Sequence, residues 1–316
     1  MPDNLKQTRV IFMGTPDFGL PVFKYLIDNA NIIGVVTQPD KKVGRNQTLT
    51  SPPIKQFAIE KNIKVLQPEK VKGNLDFIKQ IKDLKPDLII VVAYGFILPK
   101  EILDIPKFGV INIHASLLPK YRGASPIQSA IINDDKETGI SLMLLDELMD
   151  HGPILVQKKI KILPYDDFEL LHDKLAELGA ELLIKALPEY LSGKIQGKKQ
   201  KDSDATYCQL IKKEDGKIDW NKSAEEIERQ VRAFNPWPGA FTNWEEKNLK
   251  ILKSEVHDAE KVNKVIGEVY EVNEVIKVQC GQGQLELIGL QLEGKNKMSA
   301  KEFINGHPKI IGSILT

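Results

Sequence analysis

Short continuous apolar runs recur along the first part of the chain, most followed by a stretch whose apolar residues return at helical spacing. Residues 9–13, 32–36, 64–66, 87–93 and 108–113 read as strands. DLIIVVA at 87–93 shows no polar alternation, as expected of a parallel strand buried on both faces. Residues 18–29, 54–61 and 75–84 read as helices. This alternation predicts an α/β fold with a Rossmann-like, doubly wound parallel sheet. An apolar segment at 139–145 and an edge strand at 158–162 follow. Leu171, Leu175, Leu178 and Leu182 then recur on one helical face, through about residue 190.

The texture changes after that helix. Residues 193–204, GKIQGKKQKDSD, are lysine-rich and nearly free of apolar side chains, which predicts a linker. Beyond it a helix at 224–234 precedes short β-patterned pieces at 249–256, 264–272, 275–280 and 284–292, with Gly and Asn turns between them. These predict a small C-terminal OB-like β-barrel. The expected organisation is a domain at 1–192, a linker at 193–206 and a second domain at 207–316.

Composition narrows the class without choosing a function. Hydrophobic residues make up 42% and charged residues 28%, as in ordinary soluble proteins. A net charge of +1 gives no global nucleic-acid signature. Cys208 and Cys280 are too few for a disulfide framework, which suits a reducing compartment. No apolar run approaches the ~18 residues of a membrane span, and MPDNLKQTR lacks a signal-peptide core. A cytoplasmic monomer without membrane contact is the expectation. No two of the five histidines stand at HxH or HxxxH spacing, so no metal is expected.

Gly14 and Gly19 in the first turn do not make a G-x-G-x-x-G fingerprint, so no dinucleotide site is expected; the turn reads as structural, with an anion at the helix N-terminus as the alternative. The polar loop from Thr37 to Pro53 carries Lys41, Lys42 and Arg45. Its length without apolar pattern predicts an irregular, flexible arm able to grip phosphate or a nucleic-acid end.

The candidate chemistry lies between Gly109 and Gly152. Asn112 and His114 are two residues apart on a strand, so both point to one face near its C-terminal end. Open α/β sheets hold ligands at that end. Asn offers N–H donors, and His a donor or a proton acceptor near neutral pH. Asp150, in the acidic loop DELMDHGP, is suited to orient His114 and stabilise its charged form. Tyr94, Gly95 and Ile97 follow the 87–93 strand and are expected to form an apolar pocket wall.

Asn-x-His, then SLLPKYRG, then DELMDHGP resembles the formyltransferase family that uses 10-formyltetrahydrofolate. The resemblance implies that Asn112, His114 and Asp150 are catalytic, and that Ser116, Leu117, Leu118 and Pro119 form part of the folate site. Asn112 and His114 would donate to an oxyanion while Asp150 holds His114; which of His114 and Asp150 is the base stays open. FMGTPDFGLP, VVTQPDKKVGR, ATYCQLIKKEDGKIDW and RAFNPWPGAF are similar to the branch that formylates initiator methionyl-tRNA for translation initiation. That branch implies tRNA contacts from Lys41, Lys42, Arg45, Lys212 and Lys213. It also implies a tRNA-binding role for the C-terminal domain. Formyl transfer to a small amine, hydrolysis of formyltetrahydrofolate, and non-catalytic folate or tRNA binding are the alternatives.

Overall fold

A computed structural model of the protein describes residues 4–44, 47–257 and 264–316. Arg45, one of the expected tRNA contacts, lies outside the described residues. The chain forms two compact units. One comprises Met1–Pro126, Glu137–Lys161 and His172–Gln209; the other comprises Ile127–Lys136, Ile162–Leu171 and Leu210–Thr316.

The first unit is built on a seven-stranded sheet. Its strands are β1 (Arg9–Gly14), β2 (Asn31–Val36), β3 (Val65–Leu66), β4 (Leu88–Val92), β5 (Val110–His114), β6 (Glu137–Leu144) and β7 (Ile154–Lys161), in the spatial order β7-β6-β5-β4-β1-β2-β3. The five strands from β3 to β5 run parallel, as the sequence pattern predicts. The β6 strand is antiparallel to β5, with His114 opposite Ser141 and Ile111 opposite Leu144, so the sheet is mixed at this edge. That pairing needs no crossover. Residues 115–136 therefore need not traverse the sheet, and the chain re-enters it at the C-terminal end of β5.

Alternate strand residues serve two faces. Ile11, Met13, Ile89, Val91 and Val110 pack against Phe77, Ile78 and Ile81 of the helix Leu75–Leu84. Asn74 caps that helix by accepting the Phe77 N–H. On the other face Phe12 stacks on Phe23, ring centroids 4.8 Å apart. The leucine stripe expected after 170 is the helix Phe168–Leu191. Its Gly179 permits close approach: a Cβ there would lie 3.0 Å from the Ile113 side chain.

The loop after β2 is more ordered than its polarity suggests. Lys41–Val43 pairs with Thr48–Thr50 as a short antiparallel hairpin. Its base is tied by Asp40, which accepts from Ser51 Oγ, Lys55 Nζ and Gln67 Nε2. These bonds, Gln67's first, hold the Asp40 carboxyl at about 2. The stabilising partners come from the next helix and from just past β3, and a local pattern carries no trace of them.

In the second unit an antiparallel sheet runs in the order Ala240–Trp244, Lys247–His257, Gln284–Leu292, Val275–Gln279, Val269–Val272, with Met298–Ser299 beside Gln284–Leu292. Residues 313–316 link its two edges. Ser313 accepts from the Val269 N–H, and Thr316 exchanges hydrogen bonds with Asn243. The helix Ala224–Phe234, opened by a Ser223/Glu226 capping box, buries Ile227 and Val231 in a core with Trp220, Leu249, Val278 and Leu287. The helices Pro126–Ile132 and Ala300–Gly306 are additions to the expected elements; each spans only seven residues, too short for a legible period.

Candidate active site

Asn112 and His114 are both buried on the same face of β5. His114 Nε2 lies 2.8 Å from the Tyr121 carbonyl oxygen. A carbonyl can only accept, so Nε2 carries the proton and donates. The other ring nitrogen, Nδ1, faces Asp150 Oδ1 at 3.6 Å. That is beyond hydrogen-bond distance, so in the neutral ring the Nδ1 lone pair is uncommitted.

Asp150 is reached by the loop that folds back after β6. Its backbone is left-handed, with φ of +48°. Its carboxylate is held on both oxygens: Asn112 Nδ2 donates to Oδ1 at 3.3 Å, and the Gly123 N–H donates to Oδ2 at 2.9 Å. The left-handed Tyr121 (φ +59°) turns the 115–123 segment so that its carbonyl meets His114 while Gly123 meets Asp150.

The Ser116–Pro119 segment is pinned from the neighbouring strands. Ser141 Oγ on β6 donates to the Ser116 carbonyl at 2.6 Å and accepts the Leu118 N–H at 3.0 Å. Gln157 Nε2 on β7 donates to the Leu118 carbonyl at 2.9 Å. The Ser116 hydroxyl donates to the Lys120 carbonyl, and Ser116 and Leu118 are buried. Leu117 and Pro119 are half-buried. Leu117 packs on Gly139, where a Cβ would stand 2.7 Å from its side chain.

The 94–98 segment divides differently from the expected wall. The Tyr94 ring is buried in the core with Phe96 and Leu98, its hydroxyl without a hydrogen-bond partner among the described residues. Burial raises its pKa. The Tyr94 carbonyl accepts from Thr15 Oγ1 and Gln38 Nε2. Gly95 and Ile97 are the members of the trio exposed to solvent.

Besides Tyr121, Gly123, Ser141 and Gln157, four more residues absent from the sequence-based site lie bonded around it. Arg122 is 2% exposed. Its guanidinium donates to Gln200 Oε1 (3.0 Å), Asp202 Oδ1 (2.9 Å) and the Tyr207 hydroxyl (3.4 Å). The Arg122 bond, chiefly, lowers the Asp202 pKa. Gln200, Asp202 and Tyr207 lie in or next to the stretch expected as a linker. Within the first unit that stretch is bonded at several points: Ile154 and Lys198 exchange two backbone hydrogen bonds of 2.8 Å each. Its lysine-rich composition masked these contacts, although Arg122 and Tyr207 stand within the motifs SLLPKYRG and ATYCQLIKKEDGKIDW.

Lys41 and Lys42 are exposed on the hairpin, with Lys41 Nζ 2.6 Å from Gln38 Oε1. Lys212 and Lys213 are exposed in the second unit. That unit also holds an open cleft of about 520 Å³, lined by Lys217, Trp220, Asn221, Ile266 and Leu315, none of them a site candidate. Among the described residues no group of three or more His, Cys, Asp or Glu could hold a metal ion, and no helix is long and apolar enough to cross a membrane.

The formyl transferase family model matches residues 8–187, and the model of the formyl transferase C-terminal domain matches residues 210–308. A methionyl-tRNA formyltransferase of Caldanaerobacter subterraneus is 47% identical over 97% of this chain and 99% of its own length. One from Dictyoglomus thermophilum is 47% identical over 96% and 98%. Among solved structures, the N-formyltransferase of Helicobacter canadensis, in complex with folinic acid and dTDP-3-aminofucose, shares the fold at a TM-score of 0.66. It is 21% identical over 89% of this chain and 98% of that one.

Proposed function

We propose, from the premise that this chain belongs to the formyl transferase family, that it moves the formyl group of 10-formyltetrahydrofolate to the α-amino group of methionyl initiator tRNA. The reaction class follows from the family. The near full-length identity to methionyl-tRNA formyltransferases supports the acceptor. The observation that carries the mechanism is the His114 ring, its Nε2 proton committed to Tyr121 and its Nδ1 facing Asp150.

An α-amino group has a pKa near 7.7–8.0, so a useful fraction is neutral at pH 7. Its nitrogen attacks the formyl carbon, and the carbonyl electron pair moves to oxygen. Asn112 spends one N–H on Asp150 and has a second for that oxyanion. His114 Nδ1 takes the proton from the new ammonium, and the resulting imidazolium is stabilised by the Asp150 carboxylate beside it. The oxyanion collapses, the bond from carbon to N10 breaks, and the His114 proton passes to N10. The products are formyl-methionyl-tRNA and tetrahydrofolate. This assigns the base to His114 and the supporting charge to Asp150.

Ser116, Leu117, Leu118, Pro119, Gly95 and Ile97 are assigned to the folate side, with Tyr94 supporting them from the core. Lys41, Lys42, Arg45, Lys212 and Lys213 are assigned to the tRNA, and the 207–316 region is read as an OB-like tRNA-binding domain. A cytoplasmic monomer fits this role. The test is transfer from 10-formyltetrahydrofolate to charged initiator tRNA, against free methionine and against His114→Ala protein. Formylation of the charged tRNA alone, lost in the variant, is expected. Equal formylation of free methionine or of an amino sugar, or release of formate to water without transfer, overturns the acceptor.

A further inference from the structure

We infer that Gln200 is a positioning residue for Asp150, acting through the backbone of the loop that carries it. This rests on the assignment of formyl transfer to Asn112, His114 and Asp150.

Asp150 holds a left-handed conformation, φ +48°, which costs energy for any residue with a Cβ even though Asp tolerates it better than most. Gln200 Nε2 braces the backbone on both sides of this turn, donating to the Asp150 carbonyl and to the Gly152 carbonyl, each at 2.8 Å. Its Oε1 accepts from Arg122 Nε at 3.0 Å. The amide has one orientation that satisfies all three contacts. Reversed, it would set oxygen against two carbonyls and N–H against guanidinium N–H.

The contacts close a ring. Arg122 precedes Gly123, whose N–H holds Asp150 Oδ2. Gln200 links the Arg122 side chain to the Asp150 main chain. Asp150 is thus fixed at its carboxylate by Gly123 and at its carbonyl by Gln200, the first joined to Arg122 through the chain and the second through its buried guanidinium. Gly152 belongs to the same device, since a Cβ there would stand 1.9 Å from the Leu144 carbonyl oxygen. The 3.6 Å between Asp150 and His114 Nδ1 depends on this ring. Misplacement of a reacting group by about 1 Å costs on the order of 10²-fold in rate.

The test compares wild type, Gln200→Glu, Asp150→Ala and the double variant. Gln200→Glu keeps an acceptor for Arg122, so the buried guanidinium stays paired, while the donor to both carbonyls is gone. The expected result is a kcat lower by on the order of 10²-fold with KM for the formyl donor unchanged. In the Asp150→Ala background the same change is expected to cost nothing further. Hydrogen exchange at the Gly123 amide, which reports the Asp150 carboxylate directly, is expected to quicken in Gln200→Glu toward its rate in Asp150→Ala. Equal losses in both backgrounds, a rise in KM alone, or an unchanged Gly123 amide overturns the role. If wild-type protein transfers no formyl group to charged tRNA, the functional assignment falls. The Gly123 amide then decides the positioning claim by itself.

Discussion

His114 Nδ1 and Asp150 Oδ1 stand 3.6 Å apart, close enough for a charge to be felt and too far for a hydrogen bond. The neutral ring therefore keeps a free lone pair, and the carboxylate becomes a strong partner once that lone pair has taken a proton. In a serine-protease triad the carboxylate accepts a ring N–H; here the Tyr121 carbonyl takes that part, on Nε2.

His114→Ala is expected to lower kcat by about 10²–10⁴-fold, the usual span for general acid–base catalysis. Added imidazole should restore part of it. Asn112→Ala is expected to lose about 10²–10³-fold, the span for one oxyanion donor, with no response to imidazole. Steady-state formylation of charged tRNA with and without imidazole separates the two; rescue of both variants alike would merge their roles.

The Asp40 cluster predicts an acid-sensitive hairpin base. Its carboxyl is held at about 2 against 3.8 unperturbed, by Gln67 first and then Lys55. The folded value is the lower one. Its stabilising contribution is therefore fully present above the unperturbed value and is lost as pH falls through the window toward 2. Asp40→Asn should melt lower than wild type at neutral pH, and the gap should narrow in that acid window. A gap that is constant with pH counts against the ionised contacts.

Gly152→Ala should destabilise the protein by about 1–3 kcal/mol, the range for forcing extra volume into a packed site. The added Cβ meets a backbone oxygen at 1.9 Å, and a carbonyl cannot rotate away as a side-chain tip can. Gly306→Ala, with no atom within 4 Å of its Cβ, is the control and should be neutral or stabilising. Thermal melts of the two variants measure this, and formylation rates should fall in the first alone.

Affinity for charged tRNA should fall steeply with added salt, since binding to phosphates releases counterions. Replacing Lys41 and Lys42 together should weaken binding and flatten the salt dependence. The log–log slope should shrink by roughly 0.7, the single-strand value, for each phosphate that is no longer neutralised. A salt response identical to wild type would remove the hairpin from the interface.

Much of the scaffold was legible because it rests on local periodicity. The helices Leu75–Leu84 and Ala224–Phe234 were bounded to the residue, and β1, β2, β4 and β5 to within two residues. Apolar runs and helical returns are properties of neighbouring positions. The juxtaposition of Asn112 and His114 was legible for the same reason, since the two-residue strand period puts them on one face. The short hairpin after β2 and the helices Pro126–Ile132 and Ala300–Gly306 fell below the length at which a period declares itself.

What periodicity could not reach is held by interactions between residues far apart in the chain. The proton on His114 is assigned by Tyr121, whose carbonyl is turned inward by a left-handed backbone. Its place after a strand makes Tyr94 a candidate pocket wall, and its ring lies in the core cluster with Leu98 and Phe96. Gln200 sits in a run whose composition reads as solvated linker, and it bonds to Asp150, fifty residues earlier, and to Arg122, 78 residues earlier. Composition and motif therefore set the family, the layers and the candidate side chains. The direction of their hydrogen bonds was settled by folding, because a donor's partner is chosen by position in space, and position in space is the sum of the whole fold.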